Sequence, residues 1–177
     1  MSKPNANGAF GVRTLVGCAL LTALAVVMAR LISFAPTETV RYSLETLPIL
    51  LSGLLFGPLS GALVGFASDF LGCLLSPWGY NPLLCLPPIL LGLWAGFWRT
   101  KPDRSWLRIA LALLPPILVG YILEQSAALA FVYHPKTFLP SFLTNLTTRG
   151  IQYGIIAAID LALACLLWPL LQKSAQR

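Results

Sequence analysis

The sequence predicts an all-α membrane protein: six transmembrane helices in a compact bundle, with both termini in the cytoplasm. Three observations lead there. Of 177 residues, 57% are hydrophobic and 10% are charged, with a mean hydropathy of +0.79. A soluble domain of this size keeps too much of its surface in water to hide that many apolar side chains. The apolar residues gather into runs separated by Pro, Gly and charge, and the basic residues collect at one end of those runs.

A span needs about twenty mostly apolar residues to cross roughly 30 Å of hydrocarbon, and a shorter one survives when it is packed within a bundle. The first span is predicted over residues 14–34. Its polar lead "MSKPNANGAFGVR" runs into it without a small-residue cleavage pattern, so the run is expected to remain as a helix. Spans over 44–56 and 59–75 are parted only by Gly57-Pro58, which stops one helix and starts another. The fourth covers 82–98 and the fifth 107–132. The sixth, 141–171, opens with Asn145, Thr147, Thr148 and Arg149, too polar to face lipid, so its first part is expected to face protein or a cavity. The organisation expected is a cytoplasmic segment over 1–13, a membrane domain over 14–172 and a cytoplasmic tail over 173–177.

Even membership places both termini on one side. That side holds Lys3, Arg13, Lys173 and Arg177, together with the loop "RTKPDRSWLR". Lys and Arg concentrate in cytoplasmic connections, so this is the inner side. The net charge of +6 is accounted for by topology and gives no reason to expect a nucleic-acid partner; the partner it does imply is the lipid bilayer. Cys18, Cys73, Cys85 and Cys165 lie in apolar runs without a CxxC pair, so they read as packing residues and no metal site follows. No GxxxxGK[ST] loop is present to cradle a nucleotide. The serine of "GPLSG" lacks a positioned base, since the one histidine, His134, falls on a distant outer loop.

The outer side keeps Arg30, Arg41 and Arg149 at or inside helix ends. An arginine there either snorkels to the headgroups or meets an anion, which guanidinium can clamp through two parallel hydrogen bonds. Glu38 and Glu45 stand near enough in sequence to neutralise Arg30 and Arg41 instead, and both readings stay open. In the outer turn "SPWGYNP", Trp78 and Tyr80 offer flat faces that suit either the aromatic belt or a stacked ring. Ionisable groups inside spans usually turn inward. Asp69 is expected to join helices by hydrogen bonds, while Glu124 and Gln125 could present acceptors to a ligand. Ala19 and Ala23, four apart on the first helix, and Gly53, Gly57, Gly61 and Gly65 on the next two allow close helix approach. "LPPIL" occurs at 86–90 and again at 114–118, which suggests two similarly kinked helices.

The stretches "ALLTALAVVMARLISF", "VRYSLETLPILLSGLLFGPLSGALVGFASDFLG" and "SPWGYNP", in that order, resemble the substrate-binding S components of energy-coupling factor (ECF) transporters, and most closely the folate-specific group. "LTNLTTRGIQ" resembles the arginine segment that precedes the last helix in that family. The resemblance implies capture of a folate-like vitamin from outside, without a cofactor or catalysis, followed by association with a membrane T subunit and two ATPase subunits. It implies that Arg30 and Arg41 hold a ligand carboxylate, that Tyr80 flanks the pterin, and that Ala19 and Ala23 contact the T subunit. The alternatives are an S component for another nutrient, or a membrane enzyme or structural subunit without a transported ligand.

Overall fold

The computed structural model describes residues 11–30, 34–37, 40–75, 81–99, 106–133 and 135–175, with the backbone alone at 34–37, 40–41 and 168–175. Its elements follow the apolar runs. They are α1 (Val12–Arg30), a two-stranded antiparallel hairpin of β1 (Phe34–Thr37) and β2 (Val40–Tyr42), α2 (Thr46–Phe56), α3 (Pro58–Leu74) and α4 (Leu86–Phe97). A continuous rod then comprises α5 (Trp106–Pro116), a π-helical segment (Ile117–Glu124) and α6 (Gln125–Tyr133). After one short 3-10 turn (Pro135–Thr137), α7 runs over Phe138–Ala175. Counting the rod once, six helical spans are present and the all-α reading holds. The exception is the hairpin, where residue 34, predicted to end the first helix, instead begins a strand.

Length decides how the spans are used. At 1.5 Å per residue, α1, the rod and α7 are each roughly 28 Å or longer, while α2 and α4 reach only about 16–18 Å. The two short helices therefore stop well inside the bilayer, and the chain entering α2 must descend to meet it. Ser43 and Thr46 are buried there. Pro48 on α2 and Pro87-Pro88 on α4 lie in the first turn, where a missing N–H costs nothing. Gly57 alone takes a positive φ, +102°, to turn α2 directly into α3.

Glycines pack the first half of the bundle, and α4 proves to be their partner as much as the α2–α3 pair itself. A Cβ on Gly53 would lie 2.5 Å from the Gly92 carbonyl oxygen, and one on Gly61 or Gly92 would overlap the other residue's backbone. Gly65 sits against Pro88, and Gly96 against Pro58. The backbones thus touch across three helices, as small residues permit where no hydrophobic effect drives helices together. Arg99 completes the corner by donating from Nη1 to the Phe56 carbonyl oxygen at 3.2 Å, at the negative end of α2.

The two "LPPIL" copies behave differently. The first opens α4; the second closes α5 and leads into the π-helical segment. Pro115 and Pro116 have no N–H to give Leu111 and Ala112, and the Trp94 indole donates to the Leu111 carbonyl oxygen at 3.0 Å instead. Position within the helix, not the motif, sets the outcome.

Candidate functional site

The last helix supplies the centre of the site. Arg149, Tyr153 and Gln152 fall on the inward side of α7, Gln152 and Tyr153 being buried and Arg149 half-buried. Arg149 donates from Nη1 to Oε1 of Gln125, the first residue of α6, at 3.1 Å. One turn along α7, its guanidinium stands 6.0 Å from the Tyr153 ring centre, within cation–π range. Tyr153 in turn packs on Tyr121 of the π-helical segment, ring centres 4.8 Å apart and planes tilted by 44°. A cation, an amide and two aromatic faces are therefore joined across the rod and α7. Sequence reasoning named Arg149 and Gln125 but missed both tyrosines. The i,i+4 spacing of Arg149 and Tyr153 on one helix was the available signal.

Deeper in the bundle, Asp160 is fully buried and accepts the Thr46 hydroxyl at the start of α2. Its other carboxylate oxygen, Oδ1, has no hydrogen-bond partner among the described residues, and the same is true of the Tyr121 hydroxyl, the Ser126 hydroxyl and Glu124 Oε2. The inward chemistry thus extends from Arg149 to the α2 N-terminus, about 16 Å along α7 for eleven residues. The short length of α2 is what brings its N-terminus down to that level.

Arg30 closes α1 and lies half-buried against α3. A Cβ on Gly72 would stand 3.1 Å from its Nη2, so glycine makes room for the guanidinium. Asp69 and Glu45 join Arg30 within electrostatic range of Cys73, and the Cys73 thiol reaches Asp69 Oδ2 at 3.9 Å along the same helix. For Arg149, the hydrogen-bond partner among the described residues is a neutral amide. Arg41 lies on β2, a strand that packs against α7, but its side chain falls outside the described residues, as do Trp78, Tyr80, Glu38 and His134.

Elsewhere on α1, Ala19 and Ala23 are exposed, whereas Ala25 and Ala29 are buried. Leu15, Cys18, Ala19 and Thr22 on α1, with Leu63 and Ala67 on α3, line an apolar groove of about 240 Å³. In an apolar 18-residue stretch of α1 only 11% of the residues are buried, against 50% in the corresponding stretch of the rod. The outward small-residue face is thus left uncovered by the described residues.

Comparison with known proteins agrees with this architecture. Residues 9–167 match the family described as "ECF-type riboflavin transporter, S component". The folate transporter FolT of Clostridium novyi (strain NT) is 27% identical over 150 residues, covering 84% of this chain and 86% of that protein. A crystal structure of FolT bound with folic acid superposes with a TM-score of 0.71 at 26% identity, covering 86% of this chain and 93% of that one. The S component for biotin from an ECF-type ABC transporter shares the fold, with a TM-score of 0.65 at 18% identity and 95% of each chain covered. A fold of this type with spans of this composition is an integral, multi-pass protein of the cell membrane. The chain belongs to the S components of ECF-type transporters, the membrane subunits that bind a vitamin and work with T and ATPase modules.

Proposed function

We propose that this S component captures folate or a closely related pterin at the outer face and delivers it through a T subunit and two ATPase subunits. The observation that carries the reading is Arg149, a guanidinium held by a neutral amide beside the paired rings of Tyr153 and Tyr121. Such a constellation suits a ligand that is both anionic and flat. Folic acid has two carboxylates and a fused heteroaromatic ring, so cation and aromatic faces both find use. The similarity to FolT supports the same ligand.

Riboflavin is the second reading, favoured by the family description. Its ring system would stack equally well, but it is uncharged and offers an arginine only neutral acceptors, without the bidentate carboxylate pairing that folic acid provides. In the folate reading, Arg149 and Arg30 face the anionic groups, Arg41 approaches from β2, and Trp78 and Tyr80 flank the ring. Glu124 and Gln125 face the ring's amino and N–H donors. Ala19 and Ala23 form the contact with the T subunit. The bundle over 14–172 is the binding domain, with the segments 1–13 and 173–177 in the cytoplasm.

Mass spectrometry of the detergent-purified protein, followed by titration with folic acid, riboflavin and biotin, tests this. A co-purifying pterin and the tightest binding for folic acid are expected. Preference for riboflavin would keep the transport role and overturn the ligand. No binding of any vitamin at micromolar concentration would count against the capture role itself.

A further inference from the structure

The descent of the chain to the short α2 carries Glu45, the residue before Thr46, down into the bundle with it. Carboxyl groups from three elements converge there. Glu45 ahead of α2, Asp69 of α3 and Asp160 of α7 all lie within electrostatic range of the Tyr121 hydroxyl. Tyr121 is 2% exposed, and its hydroxyl has no hydrogen-bond partner among the described residues although these acids surround it. Asp160 Oδ1 is in the same condition, while the Thr46 hydroxyl holds the other oxygen and so fixes how the carboxyl is turned. An unmade hydrogen bond on a buried polar atom is costly, and each such atom calls for a partner. Glu45 and Asp69 are only half-buried, so the acids are not sealed away as Asp160 is.

We infer that Glu45, Asp69, Asp160 and the Tyr121 hydroxyl form an acceptor floor beneath Arg149 that binds the N–H donor edge of the ligand's ring, adding to Glu124 and Gln125 above it. An ionised carboxylate can only accept hydrogen bonds, and several of them together repel the carboxylates of an anionic ligand. Whatever part of the ligand reaches this level is therefore neutral and rich in donors. Of the two ends of folic acid, that describes the ring, whose amino group and neighbouring ring N–H lie along one edge. Bonds from N–H to a carboxylate are stronger than those between neutral groups, so the floor selects for that edge as well as holding it. Acids that served only to tie α2, α3 and α7 together would be indifferent to the chemistry of the ring. The inference rests on the folate reading, which it deepens by naming what reads the ring.

The experiment titrates full-length wild-type, Glu45→Met, Glu45→Gln and Tyr121→Phe proteins in detergent with folic acid and with its analogue carrying a methyl group in place of the ring amino group. Wild-type protein is expected to prefer folic acid by about tenfold or more, because the analogue leaves carboxylate acceptors unpaired. In Glu45→Met the preference should fall to within about threefold, with Glu45→Gln between the two, since an amide keeps an acceptor but not the charge. Any effect of Glu45 on the anionic end of the ligand touches both compounds alike and drops out of the ratio. Without ligand, Tyr121→Phe should melt at or above the wild-type temperature, as it has no hydrogen bond to lose. Equal binding of the two compounds by the wild type, or an undiminished preference in Glu45→Met, would overturn the floor and leave folate capture standing. A ligand-free Tyr121→Phe protein that melts well below the wild type would show the hydroxyl already engaged within the bundle and would overturn its place in the floor. Wild-type protein that binds neither compound would sink the proposed ligand and the floor together.

Discussion

Arg149 shows how much a single side chain depends on what stands beside it. From sequence it was one of three outward-side arginines, and the family resemblance gave the ligand carboxylate to the other two, Arg30 and Arg41. The tertiary structure sets Arg30 against Gly72 of α3, while Arg149 meets a neutral amide and an aromatic face. Replacing Arg149 by Ala should weaken folic acid binding by about 1.5–3 kcal/mol, the range for hydrogen bonds to charged groups. Arg149→Lys should recover only part of the loss, since an ammonium keeps the charge but lacks the planar fork. Titration calorimetry checks both, and wild-type affinity in either variant would remove Arg149 from the site. Thr46 and Asp160 make the complementary case of a buried pair that no spacing in the sequence announces, 114 positions apart. Thr46→Val leaves a buried carboxylate without its hydroxyl partner and should cost about 1–3 kcal/mol of stability. Thr46→Ser should restore most of it, as read from thermal unfolding without ligand.

Among the elements, the α2–α3–α4 layer was partly legible. The four-residue recurrence of Gly53, Gly57, Gly61 and Gly65 announced close packing, because glycine spacing maps directly onto one helix face. That Gly92 and Gly96 of α4 fill the same seam was not readable, since nothing in one helix's sequence says which neighbour it faces. Gly92→Ala should lower stability by about 1–3 kcal/mol, the usual cost of overpacking, because its Cβ would overlap the Gly61 backbone. Gly150→Ala, with open space at the Cβ position, is the control and should fold normally. Equal melting temperatures for the two would mean that the layer is looser than its backbone contacts imply. The β1–β2 hairpin and the π-helical segment lay beyond the periodicity of the chain. Both are irregular pieces stabilised by where they sit, and a hydropathy pattern reports only burial.

At the scale of the whole molecule, the proposed reading assigns two surfaces, one inward for a ligand and one outward for a partner. Ala19 and Ala23 are exposed, Ala19 lining an apolar groove on the α1–α3 flank, while Ala25 and Ala29 of the same helix are buried. Bulky substitutions such as Ala19→Phe or Ala23→Phe should therefore leave folic acid affinity within about twofold while abolishing co-purification with a T subunit. Loss of ligand binding first would merge the two surfaces. Topology has its own check. In intact cells, a cysteine introduced at Lys136 should react with a membrane-impermeant maleimide and one introduced at Arg104 should not. The reverse pattern would invert the bundle.

Composition and the placement of charge were enough to establish a membrane bundle of six spans, because hydrocarbon imposes its length and polarity on each segment separately. They also located most helix ends to within a few residues, since Gly57-Pro58 and the proline starts act through local backbone geometry. Which amide and which tyrosines stand beside Arg149 and which acid receives Thr46 were settled only in three dimensions. Those outcomes depend on register between helices distant in sequence, and no local rule specifies that register.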